Sequence, residues 1–285
     1  MRQNELVMLV DGMSLLFRGY YAMPSRRTSA GIPINAIYQW IRYFHDAFQA
    51  FQPTHVVCCW DMGSKTFRTK LYDLYKANRG EPPEDLIPQF ELIKEVVQDS
   101  FEIPNVGVVG YEADDVIGTL STKYSEVMDV LILTGDHDNL QLLNERVKVA
   151  IMKRGMGNYK VYCPDELNVE KGISPTQLID VKAFMGDSSD NIPGVKGIGE
   201  VGALRLIKQY HDLQGVLENL DALTPAMRKK IEGDLEMLHL SKDLVTIRCD
   251  VPLEHQMEDS FWKLNREKMK NKFRELELGG LEDIF

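Results

Sequence analysis

Residues 130–138 read V-L-I-L-T-G-D-H-D, a continuous apolar run that ends on two aspartates, Asp136 and Asp138. The same design appears twice more, in L-V-M-L-V-D at 6–11, closed by Asp11, and in V-V-C-C-W-D at 56–61, closed by Asp61. Unbroken Val/Ile/Leu runs of this length predict parallel strands covered on both faces, which alternating amphipathic strands are not. Open parallel sheets place their ligand crevice beyond the carboxyl ends of the strands, so three acid-ended strands aim carboxylates at one place. Two further groups, Glu112, Asp114 and Asp115 in G-Y-E-A-D-D-V and Asp187 with Asp190 in M-G-D-S-S-D-N, bring the set to nine. Crowded carboxylates repel unless a cation holds them, and an all-oxygen set suits a hard ion such as Mg²⁺ or Mn²⁺. That many acids predict two ions about 4 Å apart, the arrangement that serves phosphoryl transfer. A lone Asp after a strand is ordinarily a turn or cap residue, and Asp114–Asp115 would cap a helix; the number of coincident groups outweighs that reading.

Between these groups, helical spacing over 35–51 (Ile37, Trp40, Ile41, Phe44, Phe48, Phe51), a helix near 86–99, another from Asp114 and a strand at 147–152 give an α/β, doubly wound, mainly parallel pattern. From about residue 172 the character changes. Ser174-Pro175-Thr176-Gln177 predicts a capped helix to about Met185, followed by G-V-K-G-I-G, a helix through 203–210 and one from Thr224 to about Leu238. The expected division is an α/β domain over 1–172 and a helical subdomain over 173–285.

With 285 residues, 44% of them hydrophobic, the chain can bury a full core. It has no run of 18 apolar residues, and Asp11 interrupts the only apolar stretch near its start, so neither a membrane span nor a signal peptide is expected. Four cysteines without C-x-x-C spacing point to a reducing cytoplasm rather than a disulfide framework. The net charge of −10 argues against a nucleic-acid partner until its distribution is read: residues 1–80 carry ten Lys/Arg against five acids, which leaves the remainder at −15. A basic region beside an acidic metal pocket can bind a polyanion and act on it.

The stretch 64–79, S-K-T-F-R-T-K-L-Y-D-L-Y-K-A-N-R, interleaves Lys65, Arg68, Lys70, Lys76 and Arg79 with Phe67, Tyr72 and Tyr75. Cations for phosphates and aromatics for bases are the parts of a single-strand or branched-DNA platform. The run Gly197-Ile-Gly199-Glu-Val-Gly202 matches a dinucleotide fingerprint in letters but lacks the preceding strand. It reads instead as a helix–helix loop whose glycine N–H groups, with Lys196, approach a phosphate.

Together, V-D-G-M-S, the Asp61–Arg68 spacing, Y-K-A-N-R, G-Y-E-A-D-D-V, T-G-D-H-D and G-D-S-S-D-N-I-P-G-V-K-G-I-G resemble the 5′ nuclease (flap endonuclease) family, which includes the N-terminal domain of bacterial DNA polymerase I. The resemblance covers nearly the whole chain and implies a free-standing 5′–3′ exonuclease and flap endonuclease in replication and repair. It further implies that Asp11, Asp61, Glu112, Asp114 and Asp115 surround a first metal, and Asp136, Asp138, Asp187 and Asp190 a second. Arg68 and Lys76 would contact the scissile phosphate, with Tyr75 and Arg18 among the catalytic residues. Arg26, Arg27, Phe67, Arg79, Gly194, Lys196, Gly197 and Gly199 would bind DNA, and residues 77–103 would arch over the site. A K⁺ ion on loop carbonyls of a helix–turn–helix-type duplex clamp over 186–210, a nicked or 5′-flapped DNA partner that includes RNA primers, a monomeric state and a nucleoid location complete the expectation. His137 stands where the family commonly has lysine.

Overall fold

The computed structural model describes residues 5–285; Arg2, one of the ten N-terminal cations, lies outside them. Strands β1 (Leu6–Asp11), β2 (His55–Cys59), β3 (Asn105–Val106), β4 (Asp129–Thr134), β5 (Val147–Met152) and β6 (Tyr159–Tyr162) form one sheet in the order β3-β2-β1-β4-β5-β6. The first five run parallel and β6 pairs antiparallel to β5. From β1 the chain grows outward through β2 to β3, then returns to build β4 on the other side. The topological switch point therefore lies between β1 and β4, where Asp11 and the Asp136 turn emerge side by side.

Alternation along the strands divides the core into two layers. Val7, Leu9, Val57, Val130 and Ile132 face α5 (Ala113–Ser125) and the helices beyond it. Met8, Val10, Val56, Leu131 and Leu133 face α1 (Gly12–Ala22), α2 (Asn35–Phe51) and α4 (Ile87–Phe101). Close approach of α1 to the sheet depends on Gly12, where a Cβ would meet the Trp60 ring at 2.5 Å.

Within the expected arch, 77–103, Ile93, Val96, Val97 and Phe101 of α4 are fully buried against α2. Apolar residues at helical spacing are sufficient reason for α4 to join the core. Residues 173–285 pack in two places. Helices α7 (Pro175–Met185), α8 (Glu200–Tyr210), α9 (Leu213–Glu218), α10 (Pro225–Gly233) and α11 (Leu235–Val245) form the helical part. Past it the chain returns to the α/β core: Trp262 packs on Phe44 and Phe48 and donates its indole N–H to the Phe101 carbonyl at 2.6 Å. Helix α12 (Arg266–Glu275) then buries Met269 and Phe273 in the α4 layer. The helix expected over 224–238 breaks at Asp234, whose carboxylate accepts the Lys196 N–H at 2.8 Å.

Candidate active site

Eight of the nine expected acids line one cavity of about 680 Å³ at the carboxyl ends of β1, β2 and β4. Asp11 caps α1 by accepting the Ser14 N–H at 2.9 Å and takes the Thr134 hydroxyl at 2.7 Å. Asp61 accepts the Ala113 N–H at 2.7 Å, which ties the β2 end to the start of α5. Asp114 accepts the Asn139 side-chain amide at 2.8 Å, and Asp136 accepts the Asp138 N–H at 2.8 Å. From the helical side, Asp187 and Asp190 reach in from a loop closed by the Asp187–Ile192 backbone pair.

Electrostatics divide the set. Burial, with repulsion from Asp61 and Asp136, pushes the Asp11 carboxyl up to about 7 against the pull of its two hydrogen bonds. Burial and repulsion from Asp136 and Asp11 hold Asp114 well above the usual carboxylate range. Asp61 is raised by burial as well. No ammonium or guanidinium bonds Asp11, Asp61, Asp114 or Asp136 among the described residues, so this half of the cavity is short of positive charge. In the other half, Lys182 bridges Asp138 and Asp187, at 3.0 Å from Asp187 Oδ2. Burial and Asp136 still raise Asp138 to about 6 despite Lys182, while the Ser189 and Lys182 donors overcome burial to lower Asp187. Lys76 lies 2.9 Å from Glu112 Oε1 and 3.8 Å from Asp190 Oδ2, and Arg79 pairs with Asp190. Lys182 was not singled out in the sequence; its signal was a lysine on the last turn of α7, just before the Asp187 loop.

The acids surround the cavity rather than converge. Among the described residues no three His, Cys, Asp or Glu side chains stand close enough to clasp one ion. Four of them, Glu112, Asp138, Asp187 and Asp190, are paired with Lys76, Arg79 or Lys182.

The ninth acid is elsewhere. Asp115 is fully buried, with one oxygen on Arg68 and the Glu112 N–H and the other on Arg68 and the Arg248 N–H, so it is no ligand. Arg68, 3% exposed, spends all five N–H donors inside the protein: Nε on Leu244 O, Nη1 on Glu112 and Asp115, Nη2 on Asp115 and Thr246 O. It cannot reach a phosphate. Tyr75 is buried and donates to Glu112 Oε2 at 3.0 Å, so its ring is not a stacking surface. Phe67 packs on Tyr111 between the guanidinium groups of Arg68 and Arg248. Only Phe67–Leu71 of the basic stretch is helical (α3); the rest turns back on itself, with Lys76 held at φ 55°.

Other expected residues are engaged away from the cavity. Arg18 lies over the Tyr43 ring and donates to the Lys153 carbonyl in the β5–β6 turn. Arg26 sits 4.1 Å from the centre of the Tyr38 ring, and Arg27 pairs with Asp85 at 2.5 Å. His137 is exposed beside the acids, its imidazole lowered by burial and by Lys153. Gly194 is buried, gives its N–H to Ser241 Oγ at 3.0 Å, and packs backbone to backbone on Gly186. Lys196, Gly197 and Gly199 are exposed at the tip of the hairpin between α7 and α8, as a phosphate-facing loop requires.

Residues 6–172 match the family described as 5′–3′ exonuclease, N-terminal resolvase-like domain, and residues 173–270 the 5′–3′ exonuclease, C-terminal SAM fold. A 5′–3′ exonuclease of Bacillus subtilis (strain 168) is 46% identical over 283 residues, 98% of this chain and 95% of that protein. DNA polymerase I of Chloroflexus aurantiacus is 40% identical over 96% of this chain, which spans only 30% of the polymerase. Among solved structures, a bacteriophage T5 flap endonuclease with DNA and metal ions superposes with a TM-score of 0.71 over 98% of both chains at 20% identity, a likeness of fold.

Proposed function

The chain belongs to the 5′–3′ exonuclease family, and from that premise we propose that it hydrolyses phosphodiesters in DNA carrying a free 5′ end, as an exonuclease and flap endonuclease in primer and flap removal. One observation carries the reading: a cavity lined by eight acids, half of it with no positive partner, opening beside Lys76, Arg79 and an exposed glycine hairpin. Asp11 and Asp114, driven upward by burial and mutual repulsion, fit a divalent cation. Asp11, Asp61, Asp114 and Asp136 would hold one, and Asp138 and Asp187 a second, with Glu112 and Asp190 flanking; Mg²⁺ or Mn²⁺ is the choice for oxygen ligands. When bound, such ions lower the pKa of water and offset charge on the phosphoryl oxygens.

The protein's own groups do the rest. Lys76 and Lys182, now spent on carboxylates, are the cations nearest the reacting centre, and neutralised acids would release them toward a phosphate. The hairpin tip with Lys196 would hold the duplex backbone through N–H groups and one ammonium. The carbonyls expected to hold K⁺ are partly taken: Val195 O accepts Ile198 N–H, and Gly197 O accepts Lys230 Nζ at 2.9 Å. No monovalent ion therefore enters the proposal.

The test is cleavage of 5′-flapped, nicked and single-stranded DNA by one purified sample with Mg²⁺, with Mn²⁺ and in EDTA. Metal-dependent cutting that Asp114→Asn abolishes without loss of flap binding is expected. Binding without cutting in any ion would instead favour a junction-holding protein.

A further inference from the structure

Residues 244–248 leave α11 and pass directly beneath the cavity as a strap. Both of its sides are fixed. On one, Gln141 donates to Val245 O at 3.0 Å and accepts the Ile247 N–H at 2.9 Å. On the other, Arg68 takes the Leu244 and Thr246 carbonyls at 2.8 and 2.9 Å, and Asp115 takes the Arg248 N–H at 2.8 Å. The absence of a side chain at Gly118 on α5 lets Ile247 lie against that helix, where a Cβ would come within 2.7 Å of it. Of these contacts, those of Arg68 and the Arg248 N–H meet at Asp115 and Glu112, at the start of α5 beside Asp114.

Helix α11 also reaches the glycine hairpin. Ser241, fully buried and one turn before the strap, accepts the N–H of Gly194 at the hairpin root, and Asp234 at the start of the helix accepts that of Lys196 at the tip. A continuous set of short contacts therefore runs from hairpin to α11, to the strap, to Arg68, and to the acids on α5. Arg68 is the cation in it. The guanidinium is buried, its charge held by Asp115 and Glu112, and its planar fork spans both halves of the molecule at once, which a lysine cannot do.

We propose that Arg68 is a positioning residue that couples seating of duplex DNA on the hairpin to the placement of Glu112 and Asp114, so that the acids are fully aligned only on substrates with a duplex arm. This deepens the nuclease reading and rests on it. A partner network of this kind is established by coupling measurements, not by adjacency.

Arg68→Lys keeps the charge and loses the fork; Gln141→Leu loosens the strap from its other side, where Gln141 meets the backbone carbonyl of Asp138 but no carboxylate, and serves if the first variant folds poorly. Cleavage is measured with Mn²⁺ on a 5′-flap substrate and on a short single-stranded oligonucleotide, with kcat and KM separated. Either variant is expected to lower flap kcat at least tenfold with KM changed less than threefold, and to leave single-strand cleavage within threefold of wild type. Arg68→Lys combined with Lys196→Ala should be less than multiplicative in flap kcat/KM. Equal losses on both substrates, a rise in KM alone, or multiplicative effects would overturn the proposal while leaving the nuclease reading intact. A wild type that cuts neither substrate would overturn the nuclease reading and the coupling with it.

Discussion

Replacing Asp11 by asparagine should stabilise the metal-free protein, most above neutral pH and little near pH 5. Burial lifts this carboxyl from 3.8 in the unfolded chain to about 7 in the fold. Between those values the folded state keeps a proton that the unfolded state has released, so stability falls as pH rises through the window. The penalty is complete above pH 7 and absent below pH 4. Three pKa units at about 1.4 kcal/mol each amount to roughly 4 kcal/mol at pH 8. Asparagine keeps an acceptor for the Ser14 N–H but disturbs the Thr134 hydroxyl bond, a loss of about 1 kcal/mol. The net gain is about 3 kcal/mol. With an unfolding entropy of about 2.1 cal/mol/K per residue, that shifts Tm by roughly 5 °C for this chain. Thermal unfolding in EDTA should show the variant about 5 °C above wild type at pH 8 and nearly level with it at pH 5. Saturating Mg²⁺ should reverse the order at pH 8, because the wild type gains more from the ion. A variant less stable than wild type at pH 8 in EDTA, or an advantage equal at both pH values, would refute the electrostatic account of this site.

Three other outcomes follow from the same geometry. Lys182→Met removes the ammonium that competes for Asp138 and Asp187, so titration calorimetry should find Mn²⁺ binding several-fold tighter and the metal-free protein less stable. Lys76→Ala should cut turnover on flap DNA by a hundredfold or more while gel-shift affinity changes little, since its interaction matters most as charge develops on the phosphate; equal losses in both would place it in substrate grip. Lys196→Ala should weaken duplex binding and lower the slope of log affinity against log salt by about one phosphate contact, with turnover at saturation unchanged.

The parts of this molecule that could be read in advance are those governed by local sequence. Val130–Leu133 and Val7–Val10 are apolar without interruption because both sheet faces are covered, and the acids after them follow from the strand polarity. Strand β6, Y-K-V-Y, is short, alternating and antiparallel, so it carries no such run. Strand β3 has two residues and is held by pairing with β2 alone. Arg68 shows where local sequence stops informing. Its neighbours in sequence are cations and aromatics, which describe a surface, whereas its partners lie 44, 47, 176 and 178 residues away. Asp115 was misplaced for the same reason: the E-A-D-D pattern cannot tell which acid of a helical turn points outward. Helix α1 was missed because its start coincides with Asp11, which serves at once as strand end, helix cap and cavity wall.

That cavity also changes how the chain looks from a distance. Its nine lining acids, the eight above and Glu200, set against Arg68, Lys76, Arg79, Lys171 and Lys182, leave −4 of the formal −10 carried by the whole sequence. This share is recessed, and two divalent ions would offset it. An approaching polyanion, screened beyond about 10 Å at 0.1 M ionic strength, would then meet the field of the outer surface and its basic N-terminal region instead of the field implied by the composition. Loading the pocket with ions should therefore act on the rate of encounter as well as on the chemical step, with low salt making the difference largest.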